Sequence, residues 1–181
     1  MIQNPEKIRQ REIQKQNIVL VKDKESKQAE IFRSLTQIIQ NKKVVLAYRA
    51  IQFEVNLDSV LDSLNQDIKI YYPRVAGSKL EFVCPDSWRS GKFSIQEPVG
   101  ERVISLDKAD FCIVPSLGFN RNGYRLGRGG GYYDRTLEGF SVEKIIGLSF
   151  WENFPVEFQE ESHDIRVSKL ITDKEVIFFK N

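Results

Sequence analysis

Short apolar segments, each of a length suited to one strand, recur along this chain between stretches of helical pattern. The segments KVVLAYR (43–49) and ADFCIVP (109–115) are apolar at consecutive positions, which is typical of strands buried on both faces. Strands that alternate with helices predict an α/β fold, here a mainly parallel but mixed, Rossmann-like sheet with helices on both faces. The other strand-like segments are IKIYYP at 68–73, which we expect Pro73 to end, KLEFVC at 79–84, KIIGLSF at 144–150 and EVIFFK at 175–180.

Helix signals occupy the segments before and between these strands. Asn4 followed by Pro5 is a helix-start signal, and Asn56 is a candidate cap for a later helix. Another helix is expected to begin in YYDRTLEGF, directly after a run of glycines. No repeat, low-complexity tract or Pro/Gly/Ser linker interrupts the pattern, so residues 1–181 are predicted to form one domain. A further helix carries an apolar stripe formed by Ala29, Phe32, Leu35, Ile38 and Ile39.

Composition limits the classes of partner. The 27 basic and 25 acidic residues nearly balance, which argues against broad nonspecific binding of nucleic acid or of an anionic membrane. No apolar run reaches bilayer length, and the first residues lack the apolar core of a secretory signal, so a cytoplasmic protein is expected. Cys84 and Cys112 are expected to be small buried apolar groups, and a single histidine argues against a zinc site.

One segment carries most of the chemistry, LGFNRNGYRLGRGGGYYDR at 117–135. Its glycines permit close approach of the backbone, so that successive N–H groups can converge on an anion. A helix that starts directly after them adds further donors, and Arg125 and Arg128 can each present a planar fork to phosphate oxygens. These features favour a polyphosphate site, although the pattern matches neither a P-loop nor a dinucleotide fold. A surface loop with solvated arginines is the alternative.

The stretch VPSLGFNRNGYRLGRGGGYYDR at 114–135 resembles the signature of the 5-formyltetrahydrofolate cyclo-ligase family. The resemblance implies an enzyme that converts 5-formyltetrahydrofolate, with ATP and Mg²⁺, to 5,10-methenyltetrahydrofolate, ADP and phosphate. It implies small-molecule partners, with no nucleic acid and no membrane, and we expect a monomer. Similarity extends through nearly the whole chain, in KIRQR near the N-terminus, FEV at 53–55, YPRV at 72–75, KFSIQEP at 92–98 and SHDIRVSKLIT at 162–172.

Carried over position by position, the resemblance assigns residues to both substrates. Arg125 and Arg128 become the catalytic residues, which neutralise charge during phosphoryl transfer. Glu54 becomes a substrate contact, since a carboxylate can accept from adjacent N–H donors of a pterin ring. Arg128, Gly129, Gly130, Gly131 and Tyr132 are also implied as contacts of the folate. The residues implied for ATP are Lys7, Arg11, Arg125, Leu126, Gly127, Arg128, Gly129, Gly130, Gly131, Tyr132 and Tyr133.

Two aspartates match the magnesium ligands of the family. Asp134 and Asp164, together with triphosphate oxygens and waters, suit the oxygen coordination that Mg²⁺ prefers. Taken alone, Asp134 in a first helical turn would be a favourable partner of the helix dipole. His163, the only histidine, is assigned no catalytic role.

Two local features leave details of the site open. Asn120 stands where the family commonly has aspartate, which keeps the hydrogen-bonding shape and removes a charge. Its effect depends on whether this side chain only holds a turn or also neutralises an arginine or a metal. A pterin pocket needs apolar and aromatic walls, which Tyr72, Phe82, Trp88 and Phe93 could supply, but core packing is the favoured interpretation for each.

Three other functions stay open at the level of the sequence. One is a regulatory module that binds ATP or phosphate without turnover. A second is a sugar-phosphate isomerase or acyl-transfer protein, which shares the general architecture but lacks the arginine–glycine–tyrosine–tyrosine–aspartate run. A third is a nucleic-acid-binding protein that uses arginine and tyrosine for phosphates and stacking, which the near-neutral charge disfavours. An assay of the methenyl product, with and without ATP, separates all three from a cyclo-ligase.

Overall fold

The computed structural model describes residues 4–64, 68–91 and 95–180, and an eight-stranded sheet forms its centre. The helices are α1 (Pro5–Leu20), α2 (Lys24–Ile39), α3 (Asp58–Leu64) and α4 (Tyr132–Thr136). The strands are β1 (Val44–Leu46), β2 (Lys69–Ala76), β3 (Lys79–Val83), β4 (Ser87–Ser90), β5 (Gln96–Val99), β6 (Val103–Ile104), β7 (Phe111–Val114), β8 (Gly118–Phe119), β9 (Arg125–Leu126), β10 (Ile145–Leu148), β11 (Lys169–Ile171) and β12 (Val176–Phe178).

The large sheet is parallel at its centre and antiparallel at its edges. Its strand order is β12-β11-β10-β7-β1-β2-β3-β6. The five strands from β11 to β2 run parallel to one another, with Val45 of β1 opposite Ile70 of β2 and Phe111 of β7. The outer strands β12, β3 and β6 pair in the antiparallel sense. The predicted mainly parallel, mixed sheet is therefore confirmed.

Apolar layers cover both faces of this sheet. On one face Ile31 and Leu35 of α2 and Leu61 of α3 pack in a core with Val45. On the other face Leu137, which follows α4, packs in a core that includes the buried Cys112 and Val114 of β7 and residues of the 165–170 segment. Helices therefore lie on both faces, as predicted, but the second face is covered mainly by loops.

Helix α1 begins where the sequence predicts. The Asn4 side chain accepts a hydrogen bond from the Glu6 N–H at 2.9 Å, and Pro5 occupies the first turn, where a missing N–H is tolerated. The helix docks on the turn at 151–153 through Asn153, whose amide donates to both the carbonyl and the side-chain oxygen of Gln14. This docking turns one face of α1 toward the loops that follow β7 and β10.

Some local expectations are wrong. Strand β2 continues through Pro73 to Ala76, because β1 pairs with it only as far as Tyr71 and a one-sided strand tolerates a missing N–H. Ala29 is exposed, and Ile31 takes its place in the buried stripe of α2. The short strands β4, β5, β6, β8, β9 and β11 are missing from the prediction. Among the described helices, none has the length and apolar character needed to cross a membrane.

Candidate functional site

The loops that follow the neighbouring parallel strands β1 and β7 meet at one edge of the sheet. After β1 the chain makes a turn at 51–54 that carries Glu54, and after β7 it forms the hairpin β8–β9 and the glycine-rich run 127–131. Arg128 of the second loop donates to Glu54 of the first. Because ligands of open α/β sheets bind beyond the carboxyl ends of the strands, this edge is the candidate functional site.

The hairpin fixes the directions of Arg125 and Leu126. Gly118 lies opposite Leu126 and Phe119 lies opposite Arg125 in the antiparallel pair β8–β9. Leu126 is fully buried in a small apolar core with Ile18 of α1. Its side chain therefore packs inside the protein, and the ligand role predicted for it can rest only on its backbone.

A cavity of about 890 Å³ opens beside the glycine-rich run, and this volume suits a small-molecule ligand. Glu54, Arg128, Tyr132 and Tyr133 are not among the residues that line it. The structure thus separates the predicted ligands into a larger cavity group and a smaller group beside it. The cavity group consists of Lys7, Arg11, Arg125, Gly127, Gly129, Gly130, Gly131, Asp134 and Asp164.

Arg125 is a buried cation with contacts on three sides. Its guanidinium donates to the Pro115 carbonyl at 3.0 Å and to both carboxylate oxygens of Asp134 at 3.2 Å, and it lies 5.2 Å from the centre of the Tyr133 ring. Burial raises the pKa of Asp134, but the charge and hydrogen bonds of Arg125 and the Ile165 N–H outweigh it, and the net pKa is lowered. Asp134 and Arg125 therefore form an ion pair at neutral pH.

Glycines make this arrangement sterically feasible at two positions. A Cβ atom at Gly127 would lie 2.7 Å from Nη1 of Arg125, so any other residue there would force the buried guanidinium to shift. Gly131, directly before α4, has φ +65°, a conformation that favours glycine. Packing and backbone conformation therefore favour glycine at these two positions independently of any ligand.

Helix α1 contributes two cations from one face. Lys7 is buried, and its Nζ donates to Glu161 Oε2 at 2.7 Å and to Asp164 Oδ2 at 2.5 Å. Arg11, one helical turn later, donates from Nε to the Gly127 carbonyl at 2.8 Å. Both residues line the cavity, so the face of α1 that they share is directed toward the glycine-rich run.

The acidic residues of the cavity offer oxygen ligands to a metal. Asp134 and Asp164 both line it, and each is already paired with a cation. Ligand atoms of Glu161, His163 and Asp164 lie within 4.8 Å of one another. Carboxylate oxygens suit Mg²⁺ and imidazole does not, so the acids of this set fit the ion. Glu161 was missed by the sequence reasoning, because nothing in its local pattern distinguishes it from other surface acids.

Glu54 and Arg128 form a separate pair. Arg128 donates from Nε to Glu54 Oε1 at 2.9 Å and from Nη2 to the Gln52 carbonyl. The other carboxylate oxygen of Glu54 accepts from the Ile51 N–H at 3.1 Å. The Glu54 side chain is only 5% exposed, and burial raises its pKa against the opposing charge of Arg128. The structure thus brings together two residues that were predicted to contact the same substrate.

The two tyrosines of the signature occupy different environments. Tyr132 begins α4, and its ring lies 5.3 Å from the guanidinium carbon of Arg135. Among the described residues the buried Tyr133 hydroxyl has no hydrogen-bond partner, and burial raises its pKa well above the ordinary value. Tyr133 therefore keeps its proton at neutral pH. The ligand roles of both residues stay predictions.

Asn120 holds the turn of the hairpin. Its side-chain oxygen accepts from the N–H groups of Asn122 at 3.0 Å and Tyr124 at 2.9 Å, and its amide donates to Glu160 Oε2 at 3.0 Å. None of these hydrogen bonds of the Asn120 side chain goes to Arg125, Asp134 or Asp164. An aspartate at this position could accept the same backbone bonds but would face the Glu160 carboxylate. The side chain therefore has a turn-holding role, and its amide is matched to Glu160.

Of the aromatic residues considered for a pterin pocket, Tyr72 and Trp88 pack with each other, whereas Phe82 packs in the core on the other face of the sheet. Tyr72 and Phe82 are buried, and Trp88 meets the Tyr72 ring edge-on with 4.9 Å between ring centres. Arg49 lies over both of these rings. These contacts agree with the favoured interpretation of core packing, and Phe93 lies outside the described residues.

The fold and the site together define an α/β protein whose glycine- and arginine-rich cavity lies at the carboxyl ends of parallel strands. The model of the 5-formyltetrahydrofolate cyclo-ligase family matches residues 1–173, and the chain belongs to that family. It is accordingly an enzyme of the ligase class, as the resemblance in the sequence implied.

Individual relatives agree with this assignment. The chain is 28% identical to the 5-formyltetrahydrofolate cyclo-ligase of Haemophilus influenzae over 157 residues, which cover 78% of this chain and 84% of that protein. The 5,10-methenyltetrahydrofolate synthetase of Aquifex aeolicus superposes with a TM-score of 0.83 at 25% identity, over 97% of this chain and 93% of the other. The synthetase structure from Mycoplasma pneumoniae has the same fold, with a TM-score of 0.75 at 22% identity over 94% of this chain and 99% of the other.

Proposed function

We propose that this chain converts 5-formyltetrahydrofolate to 5,10-methenyltetrahydrofolate with consumption of ATP. The observation that carries the proposal is the position of Arg128 between two sites. Its direct neighbours Gly127 and Gly129 line the cavity, whereas its own guanidinium bonds to Glu54 outside that lining. One residue therefore connects a polyphosphate site with a carboxylate site, as a phosphoryl transfer from a nucleotide to a folate requires.

The proposed reaction begins with activation of the formyl oxygen by phosphorylation. The formyl oxygen of the substrate is a poor leaving group, so the γ-phosphoryl group of ATP is first transferred to it, with ADP as the group displaced. N10 of the folate then attacks the formyl carbon and gives up its proton. The carbon–oxygen bond breaks with release of phosphate, and the five-membered ring closes.

The residues of the cavity have the properties that this transfer needs. Phosphoryl transfer depends on alignment and charge neutralisation more than on a covalent residue. Arg125 and Lys7 are cations whose positions are set by buried contacts, and Arg11 lies beside the glycine-rich run. The backbone N–H groups of Gly127, Gly129, Gly130 and Gly131 are proposed as further phosphate donors, with the backbone of Leu126 and the side chains of Tyr132 and Tyr133 beside them.

The folate is proposed to bind at the other side of Arg128. A buried carboxylate such as Glu54 can accept from the amino group and the adjacent ring N–H of the pterin. Arg128, Gly129, Gly130, Gly131 and Tyr132 would border the reacting end of the folate. This arrangement sets the formyl group next to the arginine that neutralises the transferring charge.

Asp134 and Asp164 are proposed to hold Mg²⁺, with Glu161 beside them. When bound, the ion neutralises phosphate oxygens during the transfer. The contribution of the protein is to orient both acids, because Arg125 pairs with Asp134 and Lys7 pairs with Asp164. The ATP dependence of the reaction and the need for Mg²⁺ are part of the proposal.

The test is an absorbance assay of the methenyl product, run with the complete mixture and with ATP or Mg²⁺ left out. Product is expected only in the complete mixture, together with one ADP for each methenyl group formed. Binding of ATP without product would favour a regulatory module instead. Turnover that does not need ATP would favour the isomerase or acyl-transfer alternative.

We also propose that the protein acts as a cytoplasmic monomer over residues 1–181 as one domain, without nucleic-acid or membrane partners. Sedimentation analysis at several protein concentrations tests the oligomeric state. A mass of about twice the chain mass of 21.0 kDa would contradict it.

A further inference from the structure

Two acceptors on the turn after β1 face one planar group. Glu54 Oε1 accepts from Nε of Arg128 at 2.9 Å, and the Gln52 carbonyl accepts from Nη2 of the same guanidinium. These two nitrogens are attached to one carbon atom, so a planar N–C–N edge with two donors spans the carboxylate and the carbonyl. We call Glu54 Oε1 and the Gln52 carbonyl the acceptor pair.

The acceptor pair is built into its turn. The second carboxylate oxygen of Glu54 accepts from the Ile51 N–H at 3.1 Å, and the Glu54 N–H donates to the Ile51 carbonyl at 3.1 Å. Phe53, which lies between the two acceptors, has φ 74°, an unfavourable conformation for a residue other than glycine. Such strain is maintained by the surrounding structure and concentrates at ligand sites. The turn therefore orients the acceptors through contacts that do not involve Arg128.

The acceptor pair needs a donor at all times. The Glu54 side chain is 5% exposed, and a buried carboxylate without hydrogen-bond donors is strongly disfavoured. Departure of Arg128 without a replacement donor edge is therefore unfavourable, because among the described donors only the Ile51 N–H would remain on the carboxylate. An exchange of partners keeps the carboxylate satisfied in both states.

Arg128 itself is suited to such an exchange. Its side chain is 34% exposed, and its neighbours are Gly127 and Gly129, the second with φ 97°. Glycines on both sides permit backbone rotations that other residues resist. Both of these glycines line the cavity, so a guanidinium released from Glu54 lies next to the proposed phosphate site.

We infer that Arg128 occupies the folate subsite of its own protein until the 2-aminopyrimidine ring of the substrate displaces it from Glu54 and Gln52. The amino group and the adjacent ring N–H of that ring form the same N–C–N donor edge as the guanidinium. The inference rests on the proposed function and adds an order of events. Arg128 is free to turn toward the phosphates only when the folate that accepts the phosphoryl group is bound.

The experiment uses the pterin ring alone, 2-amino-4-oxopteridine, as a probe that has neither the formyl group nor the glutamate. Its binding to the wild type and to Arg128→Ala is followed by fluorescence titration without ATP. If an internal competitor fills the subsite for nine-tenths of the time, its removal tightens binding by about tenfold. Arg128→Ala is therefore expected to bind the pterin about tenfold more tightly, or better, than the wild type.

Three further variants make the result specific. Arg128→Lys, whose single ammonium cannot present a planar N–C–N edge, is expected to show a smaller gain. Glu54→Gln in the Arg128→Ala background should abolish the gain, because the amide has only one acceptor oxygen, so its NH2 group must face either the Ile51 N–H or the donors of the pterin. Arg121→Ala, which removes an exposed arginine paired with Glu157 rather than Glu54, should bind like the wild type. Circular dichroism confirms that each variant is folded.

Equal or weaker pterin binding by both Arg128 variants would overturn the inference, and so would the absence of measurable pterin binding to all the proteins. Failure of the proposed function looks different. If Arg128→Ala gains affinity for the pterin but the wild type forms no methenyl product, the internal competition stands and the proposed reaction fails. If product forms but the pterin affinities do not differ, the reaction stands and the competition fails.

Discussion

Arg125 and Arg128 lie three residues apart in one loop, and each bonds to a carboxylate, but burial is divided differently in the two pairs. Arg125 and Asp134 are both largely buried, with side-chain exposures of 6% and 14%. In the second pair Arg128 is 34% exposed and Glu54 only 5%. The first pair joins two interior groups, whereas the second joins a surface cation to an interior acid.

The pKa directions follow from this difference. Burial is the largest influence on both carboxylates and raises both pKa values. At Asp134 the opposing charge and hydrogen bonds outweigh burial, and the net pKa is lowered. At Glu54 they do not, and the net pKa is raised. An arginine and a carboxylate thus form an interior ion pair in one place and, in our interpretation, an exchangeable contact in the other.

Replacement of the interior cation is expected to have the largest effect. Arg125→Ala leaves Asp134 buried without its partner, and breaking a buried pair in this way lowers the free energy of unfolding by about 3–5 kcal/mol. Turnover should also fall by at least about a thousandfold, because one arginine can contribute that much to phosphoryl transfer. Urea unfolding and the methenyl assay measure the two effects. An unchanged unfolding free energy would contradict the claim that Arg125 and Asp134 form a buried pair that stabilises the fold.

Replacement of the exposed cation is expected to separate activity from stability. Arg128→Ala should lower turnover by at least about a hundredfold, since this residue is proposed to neutralise the transferring charge. The free energy of unfolding should fall by about 1–2 kcal/mol, less than for Arg125→Ala, because Glu54 keeps the Ile51 N–H as a donor and its raised pKa allows it to take up a proton when Arg128 is removed. The control is Arg121→Ala, which removes an exposed arginine paired with the exposed Glu157. Near-normal turnover of Arg128→Ala would remove this residue from the mechanism.

A change at Asp134 tests whether the interior pair also serves the metal. Asp134→Asn keeps the shape of the side chain and removes its charge, so the Mg²⁺ concentration for half-maximal turnover should rise by roughly tenfold. Glu138→Gln is the matched control, because it neutralises an exposed acid that lines the same cavity. A magnesium titration that is the same in Asp134→Asn and in the wild type would count against a metal role.

The smallest effects are expected in the pH dependence of stability, where the two pairs should differ in sign. The lowered pKa of Asp134 contributes stability that is present above the ordinary carboxyl pKa and is lost as pH falls through the lower folded value. The raised pKa of Glu54 acts oppositely, since its contribution is complete at low pH and is lost as pH rises through the higher folded value.

Unfolding measurements on Asp134→Asn and Glu54→Gln across the carboxyl titration range detect these signs. As pH falls, the advantage of the wild type over Asp134→Asn should shrink, whereas its stability relative to Glu54→Gln should increase. If the stability of the wild type relative to Asp134→Asn and its stability relative to Glu54→Gln changed in the same direction with pH, the two carboxylates would not have pKa values shifted in opposite directions.

Local pattern was sufficient for much of the fold and for one part of the site. The Asn4–Pro5 signal placed the start of α1, and the spacing of four residues put Lys7 and Arg11 on one face. These features depend on neighbours within one helical turn, which a sequence displays directly. Local pattern failed at Pro73, because whether a proline ends a strand depends on which neighbouring strand is present at that point.

The site contains contacts that no local pattern reveals. Lys7 meets Glu161 and Asp164 across 154 and 157 positions of the chain, and Arg128 meets Glu54 across 74. Glu161 and Glu160 resemble other surface acids in the sequence, and only their position beside Lys7 and Asn120 distinguishes them. The resemblance to a family implied most of the predicted ligands, but it did not predict the residues with which these ligands form hydrogen bonds and ion pairs in the folded chain.

Residue type and order alone specified the alternation of strands and helices, the glycine-rich run after β7 and the lysine and arginine residues available to surround it. Those properties follow from residue type and short-range spacing. Only the tertiary structure decided which arginine is interior, which carboxylate each cation meets and that Arg128 bonds to Glu54. The reason is physical, because burial and charge pairing are properties of surroundings that the folded chain assembles from distant segments.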